Sequence, residues 1–389
     1  MRGPDIMKKI AILFPGNLKS ISTGGIDRYV KSIIGCAENC EITVYGICEV
    51  GELEIGEKYD REYKGKKYTF IPICTNAKTP LSLYYTLCEH KWIPEMLNEY
   101  DIIYLQRIEF ALPFAFKKKG TVSQIIHGSG KYYEYSYGKL RYLVYSILEH
   151  LSIIITGKTF VIMNNDRYGV PYYKRKYKKY SDRFYYAINP VTLDVFSDTN
   201  KNNARKELGF KDDENIVLYI GRIIDNPKRA LLIPDICKHL NDMGITCTFI
   251  TAGDGPDDSK LKKRIAEMGL ESQVKCIGYI DDNELIAKYV KAADVTINMS
   301  MYEGTCTSNV ESVACGTPVV STDVGEIREL IHENYNGVVV SESDRDLIAV
   351  SMARGISTVL KGNIKMDDTY KKYEAKSAVS KLIQDLLKE

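Results

Sequence analysis

The chain of 389 residues reads as α/β, with one parallel-sheet architecture built twice. Short apolar runs alternate with helical stretches along its length. The runs are apolar at every position rather than at every second one, and they fall into two series separated by a polar segment. A strand that is apolar throughout is buried on both faces, which is the condition of a parallel sheet between helix layers. Size agrees: 389 residues with 44% apolar content can bury more than one core, and domains usually run to about 100–200 residues.

The first series of strands is expected at 10–14, 42–48, 102–105, 122–127 and 160–163, with the first helix over 26–37. The second is expected at 216–220, 247–250, 274–277, 295–299 and 318–320. The join falls within 189–206, where Ser197-Asp198-Thr199-Asn200-Lys201-Asn202-Asn203 is polar and has no apolar periodicity. Domains over 1–190 and 191–365 follow, with a last segment over 366–389 in which Ala378, Leu382, Ile383, Leu386 and Leu387 have helical spacing. Ligands of open parallel sheets bind beyond the carboxyl ends of the strands, so two such domains facing each other form a binding cleft.

Composition excludes several classes. A net charge of +2 steers toward no partner. Ten cysteines include no C-x-x-C pair, the nearest two being Cys36 and Cys40, and the five histidines are dispersed. Reduced cytosolic thiols are expected rather than a zinc site or a disulfide framework, with Cys276 and Cys315 as small core residues. Lys8 and Lys9 precede an apolar run too short for a signal peptide. The most apolar helix, over 140–156, carries Arg141, Glu149 and His150 and is shorter than the roughly 20 residues of a membrane span. The expected location is the cytoplasm. No G-x-G-x-x-G follows the first strand, which argues against a dinucleotide enzyme.

The chemistry concentrates after the strand at 295–299. Met301-Tyr302-Glu303-Gly304-Thr305-Cys306-Thr307 leads into a helix expected over 308–315, stopped by Gly316 and Pro318. N–H groups at the start of such a helix lack intrahelical acceptors and suit a phosphate. Glu303 and Glu311 add acceptors for hydroxyls. Sugar nucleotides carry both kinds of group. A second cationic loop, Gly221-Arg222-Ile223-Ile224-Asp225-Asn226-Pro227-Lys228-Arg229, follows the strand at 216–220. Its charges suit a diphosphate on which negative charge develops as a glycosyl bond breaks, or they are solvated loop charges.

Glu303, seven residues and Glu311, followed by Ala314-Cys315-Gly316-Thr317-Pro318-Val319-Val320, resemble the E-x7-E signature of the retaining glycosyltransferases of family 4. The resemblance implies the GT-B fold, in which two Rossmann-like domains face each other across a cleft. It implies transfer of a sugar from a nucleoside-diphosphate donor to an acceptor hydroxyl, without a metal. Glu303 then contacts the transferred sugar and Glu311 the ribose, although Ser308 to Glu311 also fits a capping box. Gly304, Thr305 and Cys306 form the donor-sugar loop; Arg222, Lys228, Thr307 and Ser308 meet the diphosphate. Cys306 and Arg229 stand where relatives usually have glycine. In the first domain Gly24-Gly25-Ile26-Asp27-Arg28 matches a Gly-Gly-x-x-Arg pattern, with Gly25 toward phosphate and Gly24 and Arg28 on the acceptor side. His127 matches a histidine that faces the donor sugar. Gly278 and Tyr279 are either near the base or in a plain turn. The resemblance also implies a terminal helix that returns to the first domain. The acidic doublets Asp212-Asp213, Asp257-Asp258 and Asp281-Asp282 sit in turn contexts, and no metal is expected on the diphosphate.

The stretch 167–186, with Tyr172-Tyr173-Lys174-Arg175-Lys176-Tyr177-Lys178-Lys179-Tyr180, is basic and aromatic together. It suits an anionic membrane surface, with Lys117-Lys118-Lys119 as an extension, or it is a solvated helix; nucleic acid is not the expected partner. Acceptors in the family are often glycans or lipid-linked. Two rivals stand beside the transferase, a sugar-nucleotide epimerase of similar fold and a non-catalytic nucleotide-sugar binding subunit.

Overall fold

The two faces of the first strand serve two different cores. In the computed structural model of the protein, which describes residues 7–18, 25–76, 81–115, 121–128, 138–196, 200–332, 334–362 and 364–388, β1 spans Lys8–Leu13. Ile10 and Ile12 join Val30, Ile33, Val44 and Phe70 on one side. Ala11 and Leu13 join Tyr85, Met96, Ile103 and Phe110 on the other. Successive side chains of a strand point to opposite faces, so a strand covered by helices on both sides is apolar without alternation.

The chain divides into two compact units, Met1–Pro190 with Ala375–Glu389, and Val191–Glu374. The first holds an eight-stranded sheet. Its further strands are β2 (Cys40–Cys48), β3 (Tyr59–Tyr63), β4 (Lys66–Thr75), β5 (Ile102–Leu105), β6 (Val122–Ile126), β7 (Lys158–Val161) and β8 (Phe184–Tyr186). Their order is β3-β4-β2-β1-β5-β6-β7-β8, parallel except for the β3–β4 hairpin. Lys64 and Gly65 close that hairpin, both at positive φ (48° and 75°), the geometry whose twist matches the flanking strands. The sequence reading has no strand at β3, β4 or β8. β3 is half-buried and polar, β8 has three residues, and Pro72 interrupts the apolar run of β4. Pro72 lies beyond the last β3 pair and at a register shift against β2, where a missing N–H is tolerated.

The second unit holds six parallel strands, β9 (Ile216–Ile220), β10 (Thr248–Ala252), β11 (Val274–Gly278), β12 (Val295–Asn298), β13 (Val319–Thr322) and β14 (Gly337–Val340). The order β11-β10-β9-β12-β13-β14 reverses direction between β9 and β12, the switch point of a doubly wound sheet. β14 is the strand that the sequence reading omits here. Val217 and Tyr219 pack with Ile233, Leu240, Met352 and Ile356 on one face; Ile216 and Leu218 pack with Ala287, Val290 and Phe196 on the other.

The join lies at Pro190 and Val191, and the polar run after it is partly helical rather than a linker. Asn200 caps helix Lys201–Leu208, its side chain accepting from the N–H groups of Asn202 (3.0 Å) and Asn203 (3.3 Å). The second unit runs to Glu374 instead of 365. Asn336 holds the segment after 364 in place, donating to Asp367 (2.6 Å) and Thr369 (2.8 Å), and Val191 N–H donates to Tyr373 carbonyl (2.8 Å). The final helix, Ala375–Leu387, belongs to the first unit. Val379, Leu382, Ile383 and Leu386 enter the Ile10 core, and Lys158 Nζ donates to the carbonyls of Asp385 (2.8 Å) and Leu386 (3.0 Å) at the helix's end. Leu382→Ala is expected to destabilise the first unit by about 2–5 kcal/mol. Hydrogen exchange then quickens in β1 and helix Gly25–Cys36 while β9 to β14 keep their protection; uniform quickening in both sheets would contradict the assignment.

Candidate functional site

The loops after β9 and β12 meet beyond the carboxyl edge of the second sheet. Lys228, from the first loop, forms an ion pair with Glu303 of the second. The Glu303 side chain is only 15% exposed, so it is not a free surface charge. Ser300, fully buried, has its hydroxyl 2.7 Å from Glu303 Oε1 and 2.7 Å from Asn298 Oδ1. Both partners are acceptors, so the hydroxyl donates to one at a time. The sequence reading gives neither Asn298, inside the strand expected at 295–299, nor Ser300 a place in the site. The signal for them was position, since polar residues at the carboxyl end of a buried strand next to a switch point line its ligand site.

Backbone contacts tie the two loops. Met301 N–H donates to Pro227 carbonyl (2.8 Å). Arg229 adopts the left-handed region (φ 52°, ψ 33°), which costs a non-glycine residue roughly 1–2 kcal/mol. Its guanidinium donates to the carbonyls of Met299 (3.3 Å) and Ser300 (3.4 Å), contacts that a glycine would forgo. Arg222 projects into solvent from a fixed backbone, since buried Tyr219 donates its hydroxyl to the Arg222 carbonyl (3.0 Å). The neighbouring strand ends are laced together by Gly221 N–H to Ala252 carbonyl (3.0 Å) and Gly253 N–H to Gly278 carbonyl (2.8 Å). Gly278 is the last residue of β11, at positive φ (78°). Tyr279 beside it is 53% exposed, its hydroxyl donating to Asp281 (3.0 Å).

The loop that carries Glu303 is gripped from the β13 side. Glu326, 3% exposed, accepts from Thr305 Oγ1 (3.0 Å) and gives its N–H to Gly304 carbonyl (3.2 Å). Gly325 lies between them at φ 55°, where a Cβ would stand 1.8 Å from the Gly304 oxygen; no larger residue fits without displacing the loop. Helix Thr307–Ala314 begins one residue earlier than expected, with Cys306 as its N-cap and no side-chain cap bond. The capping box therefore does not form: Ser308 is already inside the helix, and Glu311 lies beyond its first turn. Thr307 and Ser308 open the helix, so their N–H groups have no acceptor within it. Burial and the charge of Glu303 push the Cys306 thiol up to about 11, so it stays neutral, 3.2 Å from Ser308 Oγ. Behind this loop Thr305, Cys306, Asn309, Glu326 and Tyr373, among others, line a small recess.

The first unit carries the remaining predicted residues. His127 follows β6, its Nε2 3.0 Å from Gln106 Oε1 and its ring edge-on to Tyr29 at 5.0 Å. Burial, helped by the Arg107 guanidinium, lowers its pKa to about 3, so the ring is neutral near pH 7 and its Nε2 is the donor to the amide oxygen. Gly25 opens helix Gly25–Cys36 and Arg28 is exposed on its first turn. Gly24 lies outside the described residues, as do Lys117, Lys118 and Lys119. In 167–186 the two components separate: Tyr173 and Tyr177 are buried with Phe184 and Ile153, whereas Lys174, Arg175, Lys178 and Lys179 are exposed.

The sequence reading finds no Asp-x-Asp in the chain, although Asp344-Arg345-Asp346 is one. Asp344 caps helix Arg345–Leu360 by accepting from Asp346 N–H (3.0 Å) and Leu347 N–H (3.1 Å), and Arg345 grips Asp225 with two hydrogen bonds (2.9 and 3.1 Å). Among the described residues no group of three or more His, Cys, Asp or Glu side chains gathers for a metal.

Gly325→Ala tests the grip on the loop. Gly362 provides the control, for it shares the positive φ (74°) but has open space where a Cβ would go. Gly325→Ala is expected to lose roughly 1–3 kcal/mol more than Gly362→Ala in urea unfolding; equal losses would show that the loop yields freely.

Residues 200–377 match the family model described as glycosyl transferases group 1. An uncharacterized glycosyltransferase of Methanocaldococcus jannaschii is 31% identical over 195 residues, 49% of each chain, and the chain spans half or less of the length of the curated relatives it matches. Among solved structures, WaaG, a glycosyltransferase involved in lipopolysaccharide biosynthesis, superposes with a TM-score of 0.70 at 15% identity over 98% of this chain and 100% of its own. HepE of Anabaena, in complex with UDP, gives 0.67 at 15% identity over 98% and 99%. The chain has the GT-B glycosyltransferase fold, and its segment 200–377 is similar in sequence to glycosyl transferases group 1.

Proposed function

We propose that the protein transfers a sugar from a nucleoside-diphosphate donor to an acceptor hydroxyl, with retention at the anomeric carbon. The observation that carries the reading is the Lys228–Glu303 pair at the β9/β12 switch point. Lys228 is held beside the sheet edge by a carboxylate that a diphosphate would replace as its partner. Arg222 and the N–H groups of Thr307 and Ser308 complete an anion site of side-chain and backbone donors, which serves the diphosphate without a metal. Glu303, released or shared, accepts from hydroxyls of the sugar, the loop Gly304 to Cys306 shapes its pocket, and Glu311 accepts from the ribose. HepE, similar in fold, binds UDP, which supports a nucleotide in this place.

In the reaction the bond from the anomeric carbon to the diphosphate oxygen breaks, the bond to the acceptor oxygen forms, and the acceptor's proton passes to the leaving diphosphate. Donors fixed in advance where this negative charge develops lower the barrier. In the first unit we assign neutral His127, held by Gln106, to the sugar, Gly25 to the phosphate, and Gly24 and Arg28 to the acceptor. The acceptor is a glycan or a lipid-linked glycan of the cell envelope. Similarity in fold to WaaG, a glycosyltransferase involved in lipopolysaccharide biosynthesis, supports a glycan of the envelope, whereas a D-inositol 3-phosphate glycosyltransferase of Streptosporangium roseum shows that a similar sequence serves a small polyol phosphate. The exposed cations of 167–186 support attachment at the inner, cytoplasmic face of a membrane; among the described residues no helix is long and apolar enough to cross one.

Purified protein incubated with uridine, guanosine and adenosine diphosphate sugars is expected to release nucleoside diphosphate from one of them, since slow transfer to water needs no acceptor. Glu303→Ala and Arg222→Ala are expected to lower that release at least about a hundredfold. Failure to bind any of the donors would overturn the reading.

A further inference from the structure

We propose that Ser300 is a positioning residue for Glu303. Its hydroxyl turns from Asn298 to the carboxylate when Lys228 goes over to the diphosphate, so that Glu303 meets the sugar still supported by a donor. The inference deepens the proposed reaction and rests on that reading for the anion that draws the lysine away.

Every polar atom of Ser300 is held, and only its hydroxyl hydrogen is left to move. The residue is fully buried. Its N–H donates to Asn298 Oδ1 (3.0 Å), and its carbonyl accepts from Thr322 Oγ1 (2.7 Å) and from the Arg229 guanidinium (3.4 Å). Thr322, the last residue of β13, is itself buried. Because the Ser300 N–H can only donate, the Asn298 atom that faces it is the amide oxygen. Asn298 Nδ2 is buried and has no acceptor, so this amide acts on Ser300 through its oxygen alone. A hydroxyl can serve either of two acceptors by rotation about its Cβ–Oγ bond, with no movement of a heavy atom. The exchange therefore asks nothing of the loop.

The two acceptors differ in what they lose when the hydroxyl turns away. Asn298 Oδ1 lies 2.7 Å from Ser300 Oγ and keeps the backbone N–H in either case. Glu303 has no such reserve. Lys228 Nζ and Ser300 Oγ both reach its Oε1, Oε2 has no donor among the described residues, and the side chain is 15% exposed. Once the lysine bonds a phosphate oxygen, the Ser300 hydroxyl is the donor that remains on Oε1. An unpaired, largely desolvated carboxylate costs far more than a neutral amide oxygen that has given up one of two donors. The hydroxyl thus commits to Glu303 as the lysine leaves. Oε2 stays open for a hydroxyl of the sugar. The Ser300 contribution is small while the ion pair stands and full once it is broken, which makes the residue separable from one that only shapes the loop.

Two double-mutant cycles on the full chain test this. In titration calorimetry with uridine, guanosine and adenosine diphosphate, Ser300→Ala is expected to weaken the one that binds at least about fivefold, the scale of a hydrogen bond to a charged group. In the Glu303→Gln background the same substitution is expected to change affinity less than about twofold. Equal weakening in both backgrounds, or none beside the native Glu303, would overturn the proposal. The second cycle needs no ligand. Lys228→Met removes the lysine permanently, so Ser300→Ala is expected to lower the urea midpoint further in the Lys228→Met background than in the wild type. Equal shifts would overturn the proposal as well. Should Ser300→Ala not fold, Ser300→Cys, which keeps a side chain with only a weak donor, takes its place in both cycles. A chain that binds none of the three diphosphates removes the transferase reading, and the urea cycle then decides the exchange at Ser300 by itself.

Discussion

The ion pair between Lys228 and Glu303 joins two loops 75 residues apart, and the strand order makes them meet. β9 and β12 are neighbours in the sheet although the chain visits β10 and β11 between them. A ligand in the gap between their carboxyl ends touches both loops at once. The features around the pair serve to hold it there: the Met301–Pro227 backbone bond, the Arg229 guanidinium on the Met299 and Ser300 carbonyls, and the Glu326 grip on Gly304 and Thr305. A partly buried pair of this kind yields little net stability, because desolvation offsets much of the attraction. Its persistence next to a bundle of backbone donors fits a cation kept ready for an anionic ligand.

The sequence made the doubly wound architecture legible because burial on both faces writes itself as unbroken apolar runs. Runs such as Ile216 to Ile220 and Ile102 to Leu105 coincide with β9 and β5. Strands with weaker patterns escaped. β3 alternates on a half-buried edge, β4 contains Pro72, and β14 is a four-residue strand that opens on Gly337. The polar run at Lys201 to Asn203 looked like a linker because helix Lys201–Leu208 buries little beyond Ala204 and Arg205. Arg205 is satisfied by Ala292 and Asp212 carbonyls and Asp294, a polar burial that no apolar periodicity can reveal.

At the site, the residues with charges were visible and those that position them were not. Glu303, Lys228 and Arg222 stand out by type and by place after a strand. Ser300, Asn298, Glu326 and Gly325 act through geometry: a hydroxyl 2.7 Å from a carboxylate, a buried acceptor for Thr305, and a glycine whose missing Cβ admits the Gly304 carbonyl. The capping-box pattern from Ser308 to Glu311 shows the opposite failure, a local motif that is present in sequence and unused because the helix starts at Thr307. Tyr173 and Tyr177 show it again, since burial against Glu149 removes them from the surface that composition alone assigned to them.

The central claim is that Lys228 holds a diphosphate in competition with Glu303. Titration calorimetry with the nucleoside diphosphate alone tests it without any acceptor or turnover. The account predicts that Lys228→Met weakens binding at least tenfold, about 1.4 kcal/mol, and that Glu303→Gln, which removes the competing carboxylate charge, leaves binding as tight or tighter. A dissociation constant unmoved by Lys228→Met, or weakened equally by both substitutions, would contradict it.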